Sequence, residues 1–171
     1  MKQENIEKTK CYGCGALVEN TVGQPHKYIG AAQGCWDLYG EILAKEYGEY
    51  NYPKDTHRLT VDTYAIQHPG QPGRQSIQSV NVHLISLYTM LIDNATGEEA
   101  TKKISEILAA EPKFEWLEPP VPNGLITVID VLKAKGEEEH KQIVKEWAND
   151  VFGCWYAKYK KLIEQNAKTN F

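Results

Sequence analysis

Residues 76–91 read SIQSVNVHLISLYTML, and this stretch carries the clearest helical pattern in the chain. Large apolar side chains recur in it every three or four residues, at Ile77, Val80, Leu84, Leu87 and Leu91. That spacing puts them on one face of a helix, whose N-terminus Ser76 can cap. Because an apolar helix face has to be covered by other elements, the stretch predicts one helix of a bundle.

Helix signals on both sides of this stretch predict the rest of the bundle. Thr96 and Glu99, and again Thr127 and Asp130, have the spacing of a capping box, which opens a helix. Pro69 ends the helix that precedes the quoted stretch. The predicted helices cover residues 35–48, 56–68, 76–91, 96–110, 127–136 and 137–165. Since no convincing set of strands and no internal repeat is present, we expect an all-α bundle of five to six helices.

The size and composition fit one folded domain. The chain has 171 residues, of which 25% are charged and 42% belong to the hydrophobic class, an ordinary globular mixture. Residues 1–10 (MKQENIEKTK) are charged and lack an apolar pattern, so they predict a flexible tail. Residues 11–171 then form the single helical domain.

Charge and hydropathy bear on the partners and the location of the protein. The net charge is −4, and Arg58 and Arg74 are the only arginines. The lysines are scattered among glutamates, whereas a nucleic-acid binder needs clustered cations, so we expect no nucleic-acid partner. The first ten residues have no apolar signal-peptide core, and no apolar run approaches the roughly 18 residues of a membrane span. We therefore expect a cytoplasmic protein that does not bind membranes.

The N-terminal cysteines suggest a metal site. Cys11 and Cys14 form a C-x-x-C pair, His26 follows 12 residues after Cys14, and Cys35 lies 9 residues beyond His26. Three thiolates and one imidazole complete a closed tetrahedral zinc site, which predicts a zinc knuckle over residues 11–35 with one structural Zn²⁺. The alternative is a metal-free C-x-x-C turn in which Cys35 is a buried core thiol. Cys154 lies among aromatic residues of the last helix and is expected in the core.

A second group of polar residues surrounds a proline–glycine loop, PGQPGR, at residues 69–74. The two helices joined by this loop should run antiparallel, which would bring their polar residues together. The candidate catalytic or ligand-binding residues are His68, Arg74, Ser79 and His83. The histidines could serve as acid and base or hold a metal, and Arg74 could bind an anion. In the opposing interpretation, Arg74 forms a salt bridge with a neighbouring helix and both histidines donate to backbone carbonyls. Structural roles are expected for His57 and Asp62.

Several long motifs resemble a known family. They are CYGCGA at 11–16, GCWDLYGEILAKEYG at 34–48, HRLTVDTYAIQHPG at 57–70 and RQSIQSVNVHL at 74–84. Together they resemble a bacterial family of unknown function, domain of unknown function 5946, and weaker similarity continues through most of the chain. The resemblance implies a zinc-type N-terminus and a helical body. It implies no reaction, because the family has no assigned activity.

Two functions are compatible with these patterns. The first is a zinc-stabilised domain without catalytic activity that binds a small anionic ligand or a protein partner at the surface formed by residues 67–83. The second is a metal-dependent hydrolase or thiol transferase resembling the DinB-like helical bundles, with His68 and His83 on the metal. Whether the protein is an enzyme stays open at this level. Trp116 and Tyr50 have no obvious packing partner in the sequence, which suggests a homodimer surface.

Overall fold

The computed structural model describes residues 6–168 of the chain. It contains a short hairpin followed by six helices. The elements are β1 (Lys8–Lys10), β2 (Leu17–Glu19), α1 (Gln33–Tyr47), α2 (Lys54–Gln67), α3 (Arg74–Leu91), α4 (Gly97–Ala109), α5 (Val128–Leu132) and α6 (Glu137–Lys168). The chain is therefore mainly helical, as the hydrophobic pattern predicts, and α6 is irregular at Tyr159.

The helix ends follow the capping chemistry at two positions and depart from it at a third. Thr96 and Glu99 cap the start of α4 reciprocally, and Asp130 accepts the backbone N–H of Thr127 at the start of α5. Helix α3 begins at Arg74, two residues before the predicted cap Ser76, and its N-cap residue is Gly73. The Ser76 hydroxyl donates to the Gly73 carbonyl over 3.0 Å, so it lies inside the first turn of α3 and does not cap it.

The core lies where α2, α3 and α6 contact one another. From α3, the side chains of Val80, Leu84 and Leu87 are buried in it, which confirms the apolar face predicted for this helix. From α6, Trp147 and Trp155 are completely buried. α4 packs on α3, and α1 contacts α5. Within residues 6–168, none of the helices is both long enough and apolar enough to cross a bilayer.

The N-terminal segment differs from the expected tail. Residues 8–10 form β1, which pairs antiparallel with β2 so that Lys8 faces Glu19 and Lys10 faces Leu17. Residues 1–5 lie outside the described part of the chain. Strands of three residues are too short to show an alternating pattern, so they could not be predicted from the sequence. Tyr50, one basis for the suggested dimer surface, is buried with its ring centroid 4.9 Å from that of His140.

A buried carboxylate joins three helices at one end of the bundle. Glu46 of α1 has no exposed surface, and its oxygens accept hydrogen bonds from His57 and Thr60 of α2 and from His140 of α6. These bonds measure between 2.6 and 2.7 Å. Burial disfavours the ionised form, but the hydrogen bonds outweigh it and hold the pKa of Glu46 below its ordinary value. Each of these polar groups is therefore paired inside the protein.

Candidate metal centre

The hairpin presents two thiols on one side of a tight turn. Residues 11–16, here called the knuckle, connect β1 to β2. The Cys11 N–H donates to the Ala16 carbonyl and the Gly15 N–H donates to the Cys11 carbonyl, both over 2.8 Å. Gly15 has a φ of +78°, a conformation that favours glycine, and no atom lies near its Cα hydrogens. The turn thereby directs the Cys11 and Cys14 side chains towards α1.

Two helix ends supply the remaining members of the group. Cys35 lies in the first turn of α1, and His68 is the C-cap residue of α2. The Sγ atoms of Cys14 and Cys35 are 3.9 Å apart, and Cys35 Sγ lies 3.4 Å from His68 Nε2. One ligand atom from each of Cys11, Cys14, Cys35 and His68 lies within 4.8 Å of the other three. This cysteine–histidine cluster could hold a metal ion.

The backbone fixes which nitrogen of His68 faces the thiols. His68 Nδ1 lies 2.9 Å from the carbonyl oxygen of Tyr64, and a carbonyl can only accept, so Nδ1 carries the proton. Nε2 then presents its lone pair to the cluster, which is the arrangement of a metal-ligating imidazole. The ring also stacks on Tyr64 at a centroid distance of 4.0 Å. Both contacts hold the imidazole plane in position.

Donors around the sulfur atoms favour thiolates. The Ala32 N–H points to Cys11 Sγ over 3.4 Å, and the Tyr64 hydroxyl donates to Cys35 Sγ over 3.6 Å. The Cys11 and Cys35 side chains are buried, whereas Cys14 is half-buried. Burial of its hydroxyl, with the neighbouring Cys35 sulfur, raises the pKa of Tyr64, so this hydroxyl remains a donor.

The three thiols oppose one another's ionisation. Hydrogen bonds from Cys14 and Cys35 hold the pKa of Cys11 well below its ordinary value. Bonding to Cys11, with burial, raises the pKa of Cys14 to about 12 and that of Cys35 further still. A first negative charge on the sulfurs therefore opposes a second. A divalent cation would remove that opposition, because it stabilises every coordinating thiolate at once.

Close backbone approach brings the knuckle against the end of α2. A Cβ on Gly13 would lie 2.4 Å from His68 Cδ2 and 2.5 Å from the Gly30 carbonyl oxygen. The Gly30 N–H in turn donates to the His68 carbonyl over 2.9 Å. These contacts leave no room for a side chain at position 13, so glycine there lets the knuckle reach the histidine.

The fourth member of the cluster is His68, and not His26 as the spacing predicted. Cys11, Cys14 and Cys35 come together as expected, but His26 is exposed and packs edge-on against Tyr28 outside the cluster. Sequence spacing favoured His26 because it lies between the cysteines. The true neighbour comes from 33 residues beyond Cys35, at the end of a helix that runs back to the knuckle. Its position directly before Pro69-Gly70, where α2 has to stop, was the one available signal.

The expected pairing of His68 with His83 is not formed. His68 belongs to the cysteine–histidine cluster, whereas His83 Nδ1 lies 2.7 Å from Asp62 Oδ1 in a separate group. Arg74 and Ser79 line a cavity together with His83 and without His68. The two histidines therefore cannot share one metal in this arrangement. Cys154 is a partly buried free cysteine outside the cluster.

The fold and this site define a mainly helical protein with a Cys₃His cluster that could hold a metal. The sequence model described as a family of unknown function, DUF5946, matches residues 9–156. The chain belongs to that family, which confirms the resemblance seen in its motifs. Neither the curated proteins nor the solved structures contain a significant match to it.

Proposed function

We propose that this protein is a zinc-stabilised ligand-binding domain, in which one structural Zn²⁺ is held by the cysteine–histidine cluster and a ligand binds at the surface of residues 67–83. The observation that carries the zinc assignment is the approach of three sulfurs and one imidazole nitrogen to within 4.8 Å of one another. Four such donors match a tetrahedral site. Because all four positions come from the protein, no position is left for a reacting water, and the ion is structural.

The donor set favours zinc over other common metals. Thiolate and imidazole are ligands for zinc, whereas magnesium and calcium prefer oxygen. The hydrogen bond from His68 Nδ1 to the Tyr64 carbonyl supplies the outer contact that orients such ligands. The donors on Cys11 and Cys35 serve the same purpose at sulfur.

The proposed ion joins three segments that are far apart in sequence. They are the knuckle, the start of α1 and the end of α2. The irregular segment between β2 and α1 contains many exposed residues, so the hydrophobic effect alone holds it weakly. Zinc binding would supply that stability, since a site absent from the unfolded chain converts binding free energy into folding free energy.

The proposed ligand surface is a cleft of about 1010 Å³ beside the cluster. Its walls are the knuckle, the loop 69–74 and the proline-rich segment 116–124. Asn123 at its edge keeps a buried Oδ1 without a hydrogen-bond partner among residues 6–168, while its Nδ2 donates to the Ile66 carbonyl. A buried acceptor without a partner calls for a donor that the described residues do not supply. Since the knuckle forms one wall, zinc would fix the shape of the cleft.

Metal content in matched variants tests the zinc proposal. We expect one zinc per chain by elemental analysis and native mass spectrometry of the reduced protein. His68→Gln and Cys35→Ser should lose or weaken it, whereas His26→Gln and Cys154→Ser should keep it, because those two residues lie outside the cluster. Cobalt substitution should give the absorption of a tetrahedral, thiolate-rich site in the wild type and in both controls.

Two results would contradict the proposal. One is protein that contains no metal and melts at the same temperature with and without added zinc. The other is loss of zinc in His26→Gln with full retention in His68→Gln, which would return the fourth ligand to the position predicted from spacing. A ligand-binding role for the cleft would be refuted if reporter groups on the loop 69–74 responded to no ligand class in zinc-loaded protein.

A further inference from the structure

A second, smaller cavity lies along the outer side of α3. It has a volume of about 430 Å³, and the side chains that matter in it are those of Tyr28, Arg74, Ser79 and His83. Ser79 and His83 are four residues apart on α3, so they face the same side of the helix. We call this space the α3 cavity.

The orientation of His83 leaves one nitrogen available in the α3 cavity. His83 Nδ1 lies 2.7 Å from Asp62 Oδ1, and an ionised carboxylate only accepts, so the proton is on Nδ1. Nε2 of the neutral ring is then an acceptor, and it has no partner among residues 6–168. The side chain retains 20% of its accessible surface, so a ligand can reach it.

The carboxylate that orients His83 is itself fixed. Asp62 is completely buried, and its Oδ2 accepts from Arg58 Nε over 3.0 Å and from the Ser86 hydroxyl. Arg58 also donates to Thr101 on α4. A buried carboxylate with one donor from its own helix and two from α3 holds one orientation, and it transmits that orientation to the imidazole. Asp62 is therefore a positioning residue for His83.

The cation of the α3 cavity is unpaired among the described residues. The Arg74 guanidinium makes no ion pair or hydrogen bond with the part of the chain between residues 6 and 168. Its backbone opens α3, and its side chain lines the cavity that His83 also lines. The salt bridge to a neighbouring helix, which was one interpretation of this residue, is not present. An unpaired guanidinium beside a cavity is suited to an oxyanion.

We propose that the α3 cavity binds a small hydroxylated molecule that carries an oxyanion, with the anion on Arg74 and a ligand hydroxyl donating to His83 Nε2. The α3 cavity is separate from the cleft beside the cluster, although Arg74 borders both. The proposal rests on the proposed ligand binding at the surface of residues 67–83, and it adds a second position on that surface together with its ligand class. Ser79 lies between Arg74 and His83 in the sequence of α3 and lines the same cavity. A phosphorylated polyol and a polyhydroxy acid share this chemistry.

The test uses zinc-loaded, full-length protein with ¹⁵N-labelled histidine. Long-range ¹H–¹⁵N spectra report the tautomer of each of the five histidines. We expect His83 in the Nδ1–H form, with its Nε2 and Hε1 signals shifting saturably when glycerol 3-phosphate or glycerate is added. The stronger binder identifies phosphate or carboxylate as the anion. Glycerol, which has hydroxyls and no charge, should bind at least tenfold more weakly than either.

Matched variants separate the two contacts. Arg74→Gln should raise the Kd for the better anion by about tenfold to a hundredfold, as expected for loss of a charge-assisted hydrogen bond. Lys102→Gln, an exposed cation on α4, is the control and should leave the Kd unchanged. Asp62→Asn should shift His83 towards the other tautomer and weaken binding. In a second sample with ¹⁵N-labelled arginine, glycerol 3-phosphate should still shift the Arg74 side-chain signals of this variant.

Failure of this proposal can be told from failure of the proposed zinc. Zinc content is measured on the same sample, and no residue of the α3 cavity belongs to the cysteine–histidine cluster. The proposal is overturned if His83 responds to neither anion, or if Arg74→Gln and Lys102→Gln have equal effects. If the purified protein contains no zinc and His83 still responds, the anion site stands and the zinc assignment is wrong.

Discussion

Replacing Gly13 with alanine tests whether the knuckle and His68 form one site. The added Cβ would lie 2.4 Å from His68 Cδ2 and 2.5 Å from the Gly30 carbonyl oxygen. Ordinary carbon–carbon contacts begin near 3.5 Å, so one side of the site has to move by about 1 Å. The imidazole cannot easily turn away, because Nδ1 bonds to the Tyr64 carbonyl and the ring stacks on Tyr64.

The size of this displacement sets the expected effect. Metal–ligand distances in a zinc site vary by only about 0.2 Å, so a shift of about 1 Å pulls the knuckle thiolates or the imidazole off the ion. We expect Gly13→Ala to weaken zinc binding by at least about tenfold to a hundredfold, the usual effect of a lost outer contact. The metal-free protein should lose about 1–3 kcal/mol from overpacking alone.

Competition with a coloured zinc chelator measures the affinity, and thermal unfolding with and without the chelator EDTA separates the two effects. Gly40→Ala is the matched control, because no atom lies within 4 Å of the added Cβ and Gly40 is on the exposed side of α1. It should keep the zinc affinity of the wild type and gain up to about 1 kcal/mol of stability from better helix propensity. If Gly13→Ala binds zinc as tightly as Gly40→Ala, His68 is not a ligand in the geometry described.

The stability of the wild type should fall as acid protonates Glu46. The pKa of Glu46 is held below its ordinary value in the fold, so its contribution is present above the unfolded-state pKa and is lost as pH falls through the folded one. Glu46→Gln should be less stable near neutral pH and flatter over that acid range in urea unfolding, and a parallel pH curve would contradict this role. Trp147→Phe should cost about 1–3 kcal/mol more than Trp155→Phe, because Trp147 Nε1 donates to Gln67 Oε1 over 3.0 Å and Trp155 Nε1 has no partner among residues 6–168. Equal midpoints for the two variants in the same urea titration would refute that difference.

The helices and their apolar faces could be predicted because they depend on local sequence. Each long helix has its own apolar period, and the capping boxes at Thr96 and Thr127 involve residues three positions apart. Tertiary packing then changed only the ends, such as the start of α3 at Arg74. The hairpin escaped prediction because its pairing depends on the knuckle turn and not on a strand pattern.

The metal ligands show where local reasoning ends. Cys11 and Cys14 share a turn, so their closeness in the sequence also brings their side chains close together in space. The choice between His26 and His68 depended on how α2 packs beside the knuckle, and no spacing rule contains that information. Gly13 and Gly30 make this packing possible. Both lie so close to the end of α2 that a Cβ at either position would collide with it.

The buried carboxylates Glu46 and Asp62 differ in whether the histidine that each one orients keeps a nitrogen without a protein partner. Glu46 accepts from His57 and His140, and the second nitrogen of His57 lies 3.2 Å from the Tyr47 hydroxyl. That network pairs the carboxylate with protein donors and has a structural role. Asp62 also orients a histidine, but His83 Nε2 remains without a protein partner beside a cavity.

Both proposed sites depend on the same helix. Asp62 and His68 are six residues apart on α2, which corresponds to about 9 Å along the helix axis. An ion bound at His68 would hold the C-terminal end of α2 against the knuckle. Because Asp62 lies on the same rigid element, that attachment would also fix the carboxylate that orients His83. The zinc would then support the α3 cavity without contacting its ligand, and metal removal should broaden the His83 signals before the helices unfold.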